Sequence, residues 1–373
     1  MKNFIEKIKK YATNSNLINL INIKETPAIV YDLDILNSVI SDFRKIINSR
    51  EYIKLYFAVK SNNNKDLIAY ISKLVDGFDV ASIYEFDIVK DLGLPISYTS
   101  PSISTENFNY LFNKVNINLD SLEQVNNYLY TKATKNIGLR INVSCSSNKN
   151  SRFGIVLDCD TINYFKRENV KISSLHFHSE IRNDFYFKFV EDSIENLMKN
   201  NLLDVDEIKL LNLGGGFLND FVSNKFEELF NFIDFLKVKY FSKNTKIKFI
   251  IEPGAAISIF LGFLITEVSS VKNINNKNFV TLNSSAYNLN KWYKSIPIYT
   301  SSNKSIKIDY TLCGNTCYED DIFVDCINFN KLSNGDKIIF YPFGAYTRSN
   351  SSNLHGLNIP KEYYCKSGEL ING

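Results

Sequence analysis

The sequence predicts an α/β chain: a (β/α)8 barrel of the TIM type, followed by an all-β domain. Three observations carry this reading. After about residue 47 a short apolar strand is followed repeatedly by an amphipathic helix, and eight such strands precede residue 265. Eight is the number that closes a β/α barrel. After about residue 265 the helical signals nearly vanish and strand-like runs alternate with Asn, Ser and Gly. The chain's 373 residues are too many for one small core. The expected division is 28–265 for the barrel and 266–373, with 1–27, for the β domain. An open doubly wound sheet is the alternative, but no G-x-G-x-x-G follows the first strand.

Residues 1–27 read as a helix and a polar connector ended by Pro27. Ala28–Asp32 reads as a strand and Ile35–Ile47 as a helix with apolar residues at helical spacing. The barrel strands are read at Lys54–Lys60, Gly77–Ser82, Ile96–Ser100, Val115–Asp120, Ile137–Val143, Ile172–Ser179, Ile208–Gly214 and Lys248–Glu252. Helical patterns fill intervals such as Asp66–Leu74, Ile83–Leu92, Leu122–Thr131, Phe185–Asn200 and Phe226–Tyr240. The later strands are read at Phe279–Leu282, Ile296–Tyr299, Ile306–Leu312, Ile322–Ile327 and Lys337–Phe340.

Composition narrows the function class. Hydrophobic residues make up 45% and charged residues 22%, as in ordinary soluble enzymes. A net charge of +3 gives no argument for nucleic acid or an anionic membrane. Met1–Thr13 is amphipathic and lysine-rich, without the apolar core of a signal peptide. The apolar run Ala255–Ile265 is too short to span a bilayer. The cysteines at 145, 159, 313, 317, 326 and 365 lack metal-ligand spacing, so reduced thiols, a cytoplasmic setting and no metal are expected.

The chemistry gathers where a barrel places its active site, at the C-terminal ends of the strands. Lys60 ends the first, Asp79 and Ser82 the second, Asp120 the fourth and Arg140 the fifth. His176, His178 and Ser179 end the sixth, Gly214-Gly215-Gly216 the seventh and Glu252-Pro253-Gly254 the eighth. A lysine closing a buried strand is unfavourable unless its charge is neutralised or bonded. One solution is an imine with an aldehyde cofactor, usually pyridoxal phosphate. The bland alternative is a lysine that reaches out to solvent. Three consecutive glycines let backbone amides approach a phosphate, or merely make a turn. A buried Glu beside a pyridine ring would keep its nitrogen protonated; before Pro-Gly it is often a turn residue. His176 and His178 share one face, and one of them can stack on a planar ring, although a strand histidine is more often a core residue.

The segments YFAVKSN (56–62), GFDVAS (77–82), NLDSLEQV (118–125), LRINV (139–143), SRFGI (151–155), LHFHSE (175–180), LNLGGGF (211–217) and IEPG (251–254) follow one another in order. They resemble the successive motifs of the fold-type III pyridoxal-phosphate decarboxylases, which include ornithine, diaminopimelate and carboxynorspermidine decarboxylases. Cys313-Gly314-Asn315-Thr316-Cys317 and Gly344-Ala345-Tyr346-Thr347 are similar to that family's C-terminal segments. The resemblance covers about residues 27–357 and implies an alanine racemase-like barrel. It implies Lys60 as the Schiff-base lysine and His176 as the residue stacked on the ring. Asp79, Arg140, Ser179, Gly214 to Gly216, Gly254 and Tyr346 are implied around the cofactor, and Glu252 at its ring nitrogen. His178, Tyr318 and Asp321 are implied on the substrate. Cys317 resembles the thiol that enters from a second subunit and protonates the product carbon, so a homodimer with shared sites is implied.

Three departures bear on the substrate. The family's arginine after Glu-Pro-Gly, a phosphate contact, is Ala255 here, as in carboxynorspermidine enzymes. The acidic residue after the catalytic cysteine of ornithine and diaminopimelate enzymes is Tyr318. The second acidic position falls near Tyr299-Thr300-Ser301-Ser302, which carries no charge. A bare distal ammonium would lack a partner there. The expected substrate is therefore a modified amino acid, for instance one coupled to citrate in a siderophore pathway. The alternatives are an ornithine, diaminopimelate or carboxynorspermidine decarboxylase, an amino-acid racemase, and a regulatory homologue without activity.

Overall fold

Apolar, β-branched and aromatic runs bury on both faces of parallel strands, which is why these segments read as continuous hydrophobic stretches rather than as alternations. The computed structural model describes residues 2–12, 16–47, 49–131, 136–143, 151–289 and 292–371, so Cys145 lies outside the described residues. The chain divides into two units. One comprises Phe43–Lys60 and Leu67–Gly254; the other comprises Met1–Asp42, Ser61–Asp66 and Ala255–Gly373.

After β1 (Ala28–Asp32) come the barrel strands. They are β2 (Ile53–Ala58), β3 (Gly77–Val80), β4 (Ile96–Thr99), β5 (Asn116–Leu119), β6 (Asn136–Ile141), β7 (Lys171–Phe177), β8 (Leu210–Asn212) and β9 (Lys248–Ile251). They close in sequence order, and β9 returns to β2 through Leu55 opposite Ile251. Helices alternate with them. The helix Asp184–Lys199 starts where Asn183 accepts the Tyr186 N–H at 3.1 Å, and it buries Tyr186, Val190, Ile194 and Leu197. The strand β8 is shorter than the expected Ile208–Gly214, because from Leu213 onward the chain turns out of the sheet into the glycine loop.

The second unit holds a nine-stranded sheet. Its further strands are β10 (Gly262–Ile274), β11 (Lys277–Leu282), β12 (Ile296–Thr300), β13 (Lys307–Cys313), β14 (Ile322–Asn330), β15 (Lys337–Tyr341), β16 (Lys361–Lys366) and β17 (Glu369–Ile371). The sequence places a boundary at 28. Here β1 belongs to the sheet unit, since Ala28 lies opposite Ile265 of β10 and Lys361 of β16. Among the described residues no helix is long and apolar enough to cross a membrane.

Candidate active site

The barrel strand β2 runs into a short 3-10 turn, Val59–Ser61, which presents Lys60. Its Nζ lies 3.0 Å from Oδ2 of Asp79. Asp79 is buried at register with Ala58 on the neighbouring strand. The carboxylate orients the amine while the lysine side chain stays 42% exposed, so a ligand can still reach it.

The floor is a buried polar network. Asn212 Nδ2 donates to Glu252 Oε1 at 2.5 Å and to Ser97 Oγ at 3.3 Å. Asn118 Nδ2 donates to Thr99 Oγ1 at 3.1 Å, and Thr99 Oγ1 lies 3.3 Å from His176 Nδ1. His176 Nε2 is 3.7 Å from Glu252 Oε2 and has no hydrogen-bond partner among the described residues. Burial first, and the nearby Asp79 second, push the Glu252 carboxyl up to about 8. Burial holds His176 and His178 well below the ordinary histidine range, so both rings are neutral at pH 7. Arg140 is committed to Asp120, with Nη1 2.9 Å from Oδ1, and lies 4.6 Å from the Phe153 ring.

The glycine loop is spent differently from the expectation of three open amides. Gly214 N–H donates to Asn212 Oδ1 at 2.8 Å, and Gly215 N–H to His178 Nδ1 at 3.1 Å. A neutral His178 that accepts at Nδ1 carries its proton on Nε2. Gly216 and Phe217 N–H donate to no group among the described residues. Gly214 and Gly216 hold φ of +68° and +82°, which only glycine adopts without strain. A Cβ at Gly214 would meet His178 Nδ1 at 2.7 Å, so the loop is also sterically reserved. Ser179 Oγ donates to the Ile181 carbonyl at 2.7 Å and accepts from its N–H, which shapes its own turn. The Pro253 carbonyl accepts the Ala58 N–H at 3.5 Å, and Gly254 beside it is buried. An approachable amine, a protonated buried carboxyl, an orphaned imidazole nitrogen and two open amides fit a phosphorylated pyridine aldehyde.

In the other unit, Tyr346 N–H donates to the carbonyl of Ser61, the residue after Lys60, at 2.7 Å. Asn62 Nδ2 donates to the Gly344 carbonyl at 2.9 Å. The ring of Tyr346 packs 4.3 Å from that of Trp292. Cys317 and Tyr318 are exposed, and Tyr318 stacks between Tyr287 at 5.3 Å and His355 at 5.6 Å. Asp321 is turned inward, contrary to its expected place on the substrate. Its Oδ1 accepts the Tyr287 N–H, and its Oδ2 accepts both the N–H and the hydroxyl of Thr316. Its oxygens thus serve the Gly314–Asp321 loop, where a Cβ on Gly314 would collide with the carboxylate.

Sequence reasoning missed Ser97, Thr99, Asn118, Asn212, Glu85 and Arg182. The signal for the first three was available: polar residues at alternate positions of β4 and β5 share the inward face. Glu85 follows Ser82 by three, a helix-start pattern, and its Oε2 accepts the Ala81 N–H at 2.7 Å. Burial raises its carboxyl above the ordinary range.

The family model for the pyridoxal binding domain of pyridoxal-dependent decarboxylases matches residues 36–259. A probable ornithine decarboxylase of Dictyostelium discoideum is 27% identical over 88% of this chain and 78% of its own length. A 2-[(L-alanin-3-ylcarbamoyl)methyl]-2-hydroxybutanedioate decarboxylase of Staphylococcus aureus is 26% identical over 79% of this chain and 82% of its own. The arginine decarboxylase of Paramecium bursaria Chlorella virus, solved with agmatine, shares the fold with a TM-score of 0.76, covering 94% of this chain and 99% of that one at 19% identity.

Proposed function

Because the chain belongs to the pyridoxal-dependent decarboxylases, we propose that it removes carbon dioxide from an amino acid whose distal end is a carboxylate-bearing or amide-linked group. The activity is that of a carboxy-lyase, and the cofactor is pyridoxal phosphate. When bound, the cofactor supplies an electron sink for the charge left on the α-carbon. Lys60 would hold it through Nζ, with Asp79 orienting the amine. Glu252 would share its proton with the ring nitrogen, and neutral His176 would face the ring without adding charge. Gly216 and Phe217 N–H would receive the phosphate. Cys317 Sγ would give its proton to the α-carbon, leaving a thiolate that solvent reprotonates.

One observation carries the substrate reading. The residue after Cys317 is Tyr318, held in an aromatic stack, and the carboxylate of Asp321 is already consumed inside its loop. Among the described residues of that loop the buried carboxylate, Asp321, is already hydrogen-bonded within it and leaves a distal ammonium without a counter-charge of its own, whereas tyrosine hydroxyls donate readily to carboxylates and amides. The substrate that names the S. aureus relative, an alanine joined through a carbamoylmethyl group to a hydroxybutanedioate, has this character. Exposed Glu319 and Asp320 favour the second reading, an ordinary ornithine decarboxylase. We expect kcat/KM for the citrate-conjugated diamino acid to exceed that for L-ornithine by about 100-fold or more, the equivalent of one unpaired buried charge. Equal or faster turnover of ornithine would establish the second reading.

The functional unit is proposed to be a homodimer that shares its sites. Exposed Cys317, Tyr318 and Trp292 support this, since a catalytic thiol open to solvent would protonate without selectivity. Mixing inactive Lys60→Ala and Cys317→Ala proteins should then restore roughly a quarter of wild-type activity, from random reassortment into hybrid dimers with one intact site. A fully active monomer in sedimentation would refute sharing.

A further inference from the structure

The loop Gly214–Gly216 is gripped from behind by a buried cation. Arg182 keeps 2% of its side chain exposed. Its Nη2 donates to the carbonyl of Gly215 and, at 3.5 Å, to that of Leu213. Its Nη1 lies 3.2 Å from Oδ2 of Asp220, and its guanidinium carbon is 3.8 Å from the centre of the Phe217 ring. Its Nε has no hydrogen-bond partner among the described residues. A buried guanidinium is retained only where its charge is used or compensated. Here one half-buried carboxylate faces it, together with the Tyr186 hydroxyl, the Phe217 ring and carbonyls of the glycine segment.

Peptide geometry turns this contact into a directional one. In a trans peptide the carbonyl and the following N–H point opposite ways. With the Gly215 carbonyl on the guanidinium, the Gly216 N–H is directed away from it. That is the one glycine amide without an internal partner, since those of Gly214 and Gly215 serve Asn212 and His178. Phe217, which carries the next open amide, is held by the same side chain through its ring. We propose that Arg182 is a positioning residue for the cofactor's phosphate: it fixes Gly216 and Phe217 as donors and supplies, from behind the loop, the positive charge that this chain lacks at Ala255. The inference rests on the cofactor reading above and concerns Arg182, which that reading does not use.

The competing role is a structural bolt that ties the loop to the helix Leu218–Ser223 through Asp220. Apo protein titrated with pyridoxal 5'-phosphate and, separately, with pyridoxal separates the two, with binding followed by the absorbance band and by 31P chemical shift. Arg182→Gln should weaken the phosphorylated compound roughly 10–100-fold, the range for losing a hydrogen-bonded charge, and leave pyridoxal within about threefold, while Arg182→Lys recovers part of the loss. Equal losses for both compounds, or none for either, overturn the proposal. Asp220→Asn provides the test if Arg182→Gln does not fold. It removes the competing carboxylate, so affinity for the phosphorylated compound should hold or rise; a matching fall for both compounds would identify the bolt. Wild-type protein that binds neither compound would instead defeat the cofactor reading, and this proposal with it.

Discussion

Lys60→Ala abolishes decarboxylation and leaves protein that, after borohydride and denaturation, carries no pyridoxyl group. In wild-type protein, borohydride fixes a pyridoxyl group on Lys60, and the rate lost in the variant is on the order of 10^3-fold or more. The geometry sets this expectation. Lys60 Nζ sits 3.0 Å from a buried carboxylate yet remains open enough to meet an aldehyde. Charge and nucleophilicity can be separated with Lys60→Arg. Arginine preserves the ion pair with Asp79 but has no amine that attacks a carbonyl, so it should fold like wild type and be equally inactive. Peptide mapping that places the label on another lysine would remove Lys60 from this role.

The parts of the fold that were legible in the sequence are those governed by local period. Eight apolar strands with amphipathic helices between them specify a parallel barrel, because both faces of each strand must be covered. Strand ends then name Lys60, Asp79, Glu252 and the glycines without any knowledge of their neighbours. Long-range pairing was not legible. Nothing in Ala28–Asp32 reveals that its partners lie more than 200 residues away in β10 and β16. Nor does sequence say how a polar group is spent. Asp321 reads as a loop acid open to substrate, yet its oxygens are used on Tyr287 and Thr316. Gly214 and Gly215 read as open donors, yet Asn212 and His178 already accept from them. Arg182 carries no signal in the sequence, and only the fold shows it buried against carbonyls. In each case the deciding fact is a side-chain-to-backbone bond, some within a few residues, as Gly214 to Asn212, and others between distant segments, as Gly215 to His178, and no periodicity encodes either.

Glu252→Gln separates the stability of the empty site from its chemistry, and the two should move in opposite directions. Glu252 is 2% exposed, and burial raises its carboxyl from an ordinary 4.5 to about 8. Between those values the folded chain holds a proton that the unfolded chain has lost. Stability of the apo protein therefore falls as pH rises through this window, at about 1.4 kcal/mol per pH unit, and levels off above it. Glutamine keeps the oxygen that accepts from Asn212 and cannot ionise. Apo Glu252→Gln should then show no such slope, and at pH 8 should melt at least about 3 °C above wild type. With cofactor bound the same change removes the proton donor to the ring nitrogen, and kcat should fall roughly 10^2–10^3-fold, as when one preorganised donor is lost. Calorimetry of both apo proteins from pH 5 to 9 gives the first result, and carbon dioxide release gives the second. An apo variant less stable than wild type at pH 8 would mean that the carboxyl is ionised in the folded state, with His176, 3.7 Å away, as its partner. In that event the ring nitrogen would meet a carboxylate that is already paired, and the proton shared with it would have to come from the histidine instead.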